Sequence, residues 1–184
     1  MTNNGHIPKA EWIRSVLERF EGRLIRYAAQ ITGDLDRARD VVQETFLKLC
    51  EEEPAEIENY LAEWLFTVCR NRALDVQRKE SRMTPLLDDE LEHRSSPALA
   101  PDKIVQLKES TRELLALLET LPRRQQEIVR LKFQNGLSYA EISRVTNLSV
   151  SNVGFILHQA IQALRRQVKS NAAPDFQYLS SYEN

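Results

Sequence analysis

The chain is poor in the residues that staple small proteins or bind their cofactors. Two cysteines, Cys50 and Cys69, stand in 184 residues. They have no CxxC spacing and no nearby histidine pair, so neither a zinc knuckle nor a disulfide framework is expected. Both read as small buried hydrophobes in a reducing compartment. Five glycines and seven prolines are too few for a collagen-like or low-complexity chain. No apolar run nears the roughly 20 residues that span a bilayer. The polar N-terminus lacks the apolar core of a signal peptide, so a cytoplasmic protein without membrane insertion is expected. His6, His93 and His158 have no nucleophile or carboxylate at recognisable spacing, and there is no phosphate loop. The expectation is therefore a protein that is not an enzyme and needs no cofactor.

What the sequence does hold is helix. Apolar residues make up 42%, an ordinary globular share. Ile13, Val16, Leu17, Phe20, Leu24, Tyr27, Ala28 and Ile31 recur at steps of three and four, drawing one stripe along a helix. Gly33 is expected to stop this helix and Asp34 to cap the next. The second carries Ala38, Val41, Val42, Phe46 and Leu49 inward, with Pro54 beyond its end. A third is expected from near Ile57, with Tyr60, Leu61, Trp64, Leu65, Val68 and Cys69 on its stripe, running on towards Lys79. No stretch alternates with period two, so strands are not expected. From Glu80 to about Asp102 the pattern fails among Pro85, Pro97, Pro101 and the acidic Asp88, Asp89, Glu90 and Glu92, which reads as an extended tether. Helical spacing returns with Ile104, Leu107, Leu114, Leu115 and Leu118, then with Ile128, Val129, Leu131 and Phe133 before Asn135-Gly136. The expected fold is all-α. Two small helical domains, 10–80 and 112–170, are joined by an acidic Pro-containing linker at 81–111 and followed by a flexible tail at 171–184.

The net charge of −2 conceals an uneven distribution: residues 112–170 hold nine basic and four acidic side chains, while 80–111 hold four and seven. A basic block beside an acidic connector points to a polyanionic partner. Within the block, Ser138-Tyr139-Ala140-Glu141 has capping-box spacing. Ala140, Ile142 and Val145 follow as a short apolar face, Thr146-Asn147-Leu148 makes a turn, and Ser149 can cap a longer helix with Val150, Val153, Leu157, Ala160 and Leu164 inward. A short helix, a tight turn and a longer capped helix describe a helix-turn-helix, whose second helix meets base edges in the major groove. Its outward positions are Ser151, Asn152, Phe155, His158, Gln159 and Gln162. Asn and Gln pair bidentately with adenine, and Phe155 suits a thymine methyl. Arg165, Arg166 and Lys169, with Arg123, Arg124, Arg130 and Lys132, are expected at phosphates.

Three signatures, in order, resemble the sigma factors of bacterial RNA polymerase, specifically the compact two-domain extracytoplasmic-function group. They are Thr32-Gly33-Asp34 with Asp40-Val41-Val42-Gln43-Glu44-Thr45-Phe46, then Trp64 through Asp75, then Leu121-Pro122 leading to Leu137-Ser138-Tyr139-Ala140-Glu141-Ile142. The resemblance covers roughly 10–80 and 112–170. It implies that the first domain is sigma region 2 and the second sigma region 4. The function it implies is a sigma factor that binds core polymerase, recognises the minus-ten and minus-thirty-five promoter elements and promotes DNA melting.

Asp40, Gln43, Glu44 and Lys48 form a polar stripe that by itself is a solvated helix face. The resemblance implies that it docks on the clamp helices of the polymerase largest subunit, fixing orientation more than supplying affinity. Minus-ten contacts are implied for Trp64, Asn71, Arg72, Asp75, Arg78 and Lys79. Asn71 matches a position lining the pocket for a base turned out of the stack, where an amide both donates and accepts. Taken alone, Trp64 reads as core, and Asp75 with Arg78 or Arg72 as a surface ion pair. Minus-thirty-five contacts are implied for Ser138, Ser149, Ser151, Asn152, Phe155, His158, Gln159, Arg165 and Arg166. The family analogue of the acidic linker threads the polymerase active-site and RNA-exit channels, and an anti-sigma factor is a common partner.

In one place the sequence departs from the family pattern. Ser151 to Gln159 holds no Lys or Arg, which the recognition helix usually carries in its first two turns, and Gly154 costs about 1 kcal/mol relative to alanine there. Weak binding by the second domain alone is expected. Melting also exceeds what a small protein supplies: about twelve base pairs at roughly 1.4 kcal/mol per step cost on the order of 17 kcal/mol. The rest must come from a larger machine. A stand-alone helix-turn-helix regulator would instead protect duplex DNA without polymerase, and a purely protein-binding module would leave transcription unchanged.

Overall fold

The computed structural model describes residues 8–83 and 115–171. The linker beyond Met83 and the tail beyond Asn171 lie outside them. Helix α1 spans Lys9–Thr32 and buries Trp12, Val16, Phe20, Leu24, Tyr27 and Ala28 on one stripe. Gly33 ends it with φ 74° and donates its N–H to the Ala29 carbonyl, a left-handed cap that a Cβ would strain. Asp34 then accepts from the Arg37 N–H at 2.8 Å and starts α2, Leu35–Glu51. Its buried side is Ala38, Val41, Val42, Thr45, Phe46 and Leu49.

The third helix is not one rod from Ile57. A short α3, Pro54–Ile57, opens with Pro54 in its first turn, and a 3₁₀ turn at Glu58–Tyr60 separates it from α4, Leu61–Met83. Three residues per turn instead of 3.6 rotate the stripe at that joint, and Tyr60 is left exposed while Ile57 stays buried. From Leu61 the expected face holds: Leu65, Cys69 and Ala73 are fully buried where α4 packs on α1 and α2. Cys69 lies with its sulfur 4.0 Å from the Leu24 carbonyl, and burial pushes its thiol up to about 12, so it behaves as a small hydrophobe. Cys50 does not: it is exposed on α2, off the apolar stripe.

In the second unit residues 115–119 are helical, and Pro122 precedes α5, Arg123–Phe133. Gly136, at φ 71°, turns the chain towards α6, Tyr139–Thr146, and Asn147, at φ 56°, turns it into α7, Val150–Asn171. Leu118, Leu121, Ile128, Leu131, Leu137, Ile142, Val145, Val153, Leu157 and Ala160 close a compact core. Phe133 and Val150, read from the sequence as inward, are 63% and 48% exposed, because each sits at a helix end where the stripe leaves the core.

The two units touch. Helix α6 packs on α4, Arg144 reaches Glu63 at 2.6 Å, and the Tyr27 hydroxyl donates to Glu127 at 2.7 Å.

Candidate functional site

Both helix starts of the helix-turn-helix are fixed by local hydrogen bonds. Ser138 Oγ accepts from the Glu141 N–H at 3.2 Å, and the Glu141 carboxylate accepts from the Ser138 N–H at 2.6 Å, a complete capping box. Past the left-handed Asn147, Ser143 donates to the Leu148 carbonyl, and Ser149 Oγ accepts from the Asn152 N–H at 3.2 Å. The angle between α6 and α7 is thus set by bonds within a few residues of the turn.

The hydrogen bonds with Ser138 hold the Glu141 carboxyl below its ordinary value, with Arg144 and Lys132 adding to the effect against the pull of burial. A folded value below the unfolded one means that the box stabilises at neutral pH and is lost as pH falls through the carboxylate range. Ser138→Ala is therefore expected to cost about 1 kcal/mol near pH 7 and clearly less below about pH 4. Urea titrations of both proteins at the two pH values check this.

The first turns of α7 point Ser151, Asn152, Phe155, His158 and Gln159 into solvent, with Gln162, Arg165 and Arg166 exposed further along. Phe155 is 61% exposed, an unusual position for an aromatic ring. At Gly154 a Cβ would meet only the Tyr139 ring, at an ordinary 3.7 Å, so space does not demand glycine there. Among the phosphate candidates Arg124 is exposed and Arg123 half-buried. Arg130 is not on the surface: it is 6% exposed, donates to Gln126 at 3.3 Å, and is lowered by burial. Its place on α5 faces the core, so it cannot meet a phosphate. Lys132 is drawn to the Leu137 carbonyl at 3.2 Å and lies 5.4 Å from the Tyr139 ring centre.

On the first unit, Asp40, Gln43 and Lys48 are exposed along α2. Asp40 and Gln43 rim an open groove of about 570 Å³ between α1 and α2, floored by Leu17, Ile25, Val42 and Phe46. Leu47, which sequence reasoning passed over, lies among them 65% exposed. The signal was there: Leu47 is an apolar residue on the polar side of the helix. On α4, Asn71, Asp75, Arg78 and Lys79 are exposed, and Trp64 is partly buried against the core. Asp75 and Arg78 form the expected surface pair at 3.4 Å.

Glu44 and Arg72, assigned to different surfaces by the sequence, are joined. Arg72 Nη2 donates to Glu44 at 2.7 Å, and that bond raises the guanidinium's pKa. They wall an open cavity of about 300 Å³ with Thr45, Lys48, Val68, Asn71 and Asp75. The structure thus brings Glu44 and Lys48 of the α2 stripe and the Asn71 stretch of α4 to one polar pocket, while Asp40 and Gln43 line the other groove.

Comparison with known proteins supplies the family. The model for sigma-70 region 2 matches residues 16–83, and that for sigma-70 region 4 matches 111–164. The chain belongs to the sigma-70 family, in its extracytoplasmic-function group. It is 29% identical over 160 residues to the extracytoplasmic-function RNA polymerase sigma factor SigL of Mycobacterium tuberculosis, covering 85% of this chain and 89% of that protein. It is 27% identical over 154 residues to SigM of Bacillus subtilis, covering 83% and 93%. The same fold occurs in the sigma factor RpoE of Bartonella quintana, solved with the anti-sigma factor NepR, at a TM-score of 0.62 and 22% identity over 85% of this chain and 96% of that one. This sigma factor therefore carries the region 2 bundle in α1–α4 and region 4 in α5–α7, with the helix-turn-helix in α6 and α7. Among the described residues no helix is long and apolar enough to cross a membrane.

Proposed function

We propose that this sigma factor docks on core RNA polymerase through the exposed face of α2 and reads the minus-ten element from the Asn71 end of α4. The first turns of α7 read the minus-thirty-five element. The observation that carries the reading is the recognition helix itself. Its start is fixed by Ser149, its turn by Asn147, and its outward face is exposed polar and aromatic side chains suited to base edges. On α4, Asn71 supplies a donor and an acceptor beside a cavity able to receive a base. An anti-sigma factor is proposed as a second protein partner, since a sigma factor of this fold is solved with one.

Run-off transcription with core polymerase on a promoter library tests the reading. Starts that share a two-part upstream motif support it. Protection of duplex DNA by the chain alone, with no starts, would favour a stand-alone regulator, and unchanged transcription a protein-binding module.

Specificity and electrostatics separate by position. Arg165 and Arg166 are exposed at the far end of the proposed recognition surface, where phosphates rather than bases are in reach. Replacing either by alanine is expected to lower the salt-dependence slope of promoter binding by the holoenzyme by about 1. The preferred minus-thirty-five sequence stays unchanged. Fluorescence anisotropy at several salt concentrations checks the slope.

A further inference from the structure

We propose that Glu44 serves the minus-ten pocket rather than the polymerase: it holds Arg72 in place as the wall against which Asn71 receives a base. The inference rests on the proposed reading of the minus-ten element from α4. Helix geometry separates Glu44 from the docking face. One residue turns a helix by about 100°, so four residues advance the face by about 40°. From Asp40 to Glu44, and again to Lys48, the chain therefore turns away from Gln43 and towards α4. The cavities agree: Asp40 and Gln43 line the groove between α1 and α2, whereas Glu44 and Lys48 line the cavity shared with α4. Asp40, Gln43 and Leu47 are exposed, while Glu44 is half-buried.

The grip on Arg72 has two points. Nη2 donates to one oxygen of Glu44 at 2.7 Å, and Nε faces the other. A planar guanidinium held at two points is fixed in direction as well as in place. The two side chains are 35% and 44% exposed, and an ion pair so open to water contributes little to stability. What it supplies is position. Arg72 follows Asn71 directly on α4, so an unrestrained guanidinium there sweeps the space in which a base would sit. Held by Glu44, it is drawn back across the cavity to α2 and leaves the Asn71 amide exposed.

The rest of the lining narrows what the cavity can take. Val68 is apolar, and the Thr45 hydroxyl donates to the Val41 carbonyl at 2.8 Å. Glu44 and Asp75 balance Lys48 and Arg72, so the cavity as a whole is neutral. A neutral cavity suits an uncharged base better than a phosphate, which binds where cations are in excess. Removing the charge of Glu44 upsets both features. The cavity gains a net positive charge, and Asp75 becomes the remaining carboxylate on its wall. Asp75 stands three residues beyond Arg72 on the same helix, within reach of its guanidinium, and already attracts it. Arg72 then turns along α4 and competes with Arg78 for Asp75. Its side chain comes to lie beside Asn71 instead of across the cavity from it.

The test uses the full chain with core polymerase. Run-off transcription on a promoter library gives the base preference at each minus-ten position. N71A marks the position read by the pocket as the one whose preference it removes. E44Q keeps the shape of the side chain and removes its charge. It is expected to lower the preference at that same position about tenfold, the value of one good base contact. Affinity for core polymerase, from titration of labelled protein, is expected to stay within about twofold, as for a residue outside the centre of an interface. The charge swap, E44R with R72E, restores the preference, which a mere loss of folding would not. Far-UV circular dichroism checks that each variant is folded. Where the swap does not fold, R72K decides: it keeps the charge but loses the two-point grip, and is expected to show the same loss as E44Q. An unchanged preference in E44Q, a loss spread evenly over all positions, or a weaker hold on core polymerase overturns the role of Glu44 alone. If N71A removes the preference at no position, the reading of the minus-ten element from α4 falls, and the role of Glu44 with it.

Discussion

Leu24→Ala is expected to destabilise region 2 by about 2–5 kcal/mol. The total stability of a domain is only about 5–15 kcal/mol, so this is the largest stability effect argued from the fold. Leu24 is 0% exposed on α1 and sits against α4, where Cys69 approaches its carbonyl. Truncation there leaves a void lined by helices that cannot collapse, because Gly33 and the Asp34 cap fix the corner between α1 and α2. The measurement has a built-in address. Both tryptophans of the chain, Trp12 and Trp64, lie in region 2, so their fluorescence reports that bundle alone while circular dichroism follows every helix. The fluorescence midpoint is expected to fall by about 1–2 M urea. If the packing of α6 on α4 joins the two regions into one cooperative unit, the dichroism midpoint moves with it. A midpoint that stays at the wild-type value would contradict the packing of α1 on α4.

What could be read in the sequence is what local geometry determines. Gly33, Asp34, Ser138 with Glu141, Asn147 and Ser149 were legible as caps and turns because each acts on residues within one turn of itself. The stripes of α1 and α2 were legible because every third or fourth residue repeats the same requirement. Contacts between distant residues were not. Tyr27 and Glu127 are 100 positions apart, Arg70 and Glu127 are 57 apart, and Glu44 and Arg72 are 28 apart. No spacing rule links them, and in the last pair two charges that the sequence assigned to different partners are used within the chain. Arg130 illustrates the converse: a cation on a basic helix reads as a phosphate contact, yet it shares the buried side of α5 with Gln126. The expected site residues themselves mostly lie where exposure allows them to act, since Asp40, Gln43, Lys48, Asn71, Ser151, Asn152, His158 and Gln159 all face solvent.

Leu47→Asp is expected to weaken binding to core polymerase by about 30-fold or more, the loss of about 2 kcal/mol that separates an interface anchor from its surroundings. Polar side chains along α2 set orientation, but their own contribution is limited, because each must give up water to meet a partner. Asp40 and Gln43 precede Leu47 by seven and four residues on the same helix face and Lys48 follows it, so the leucine is the apolar centre of a polar rim. That is the arrangement in which burial of one side chain carries most of the affinity. An aspartate there places an unpaired charge in the contact. Its effect on folding is expected within about 0.5 kcal/mol, since the side chain is 65% exposed in the free protein. The same logic separates Leu47 from Glu44. Glu44 already holds Arg72, so Glu44→Ala disturbs α4 as well as the docking face, and its effect on transcription mixes the two. Gel filtration of wild type and Leu47→Asp with core polymerase isolates docking. Equal co-migration of the two proteins would remove α2 from the interface and leave the Asn71 end of α4 to find its DNA by another route.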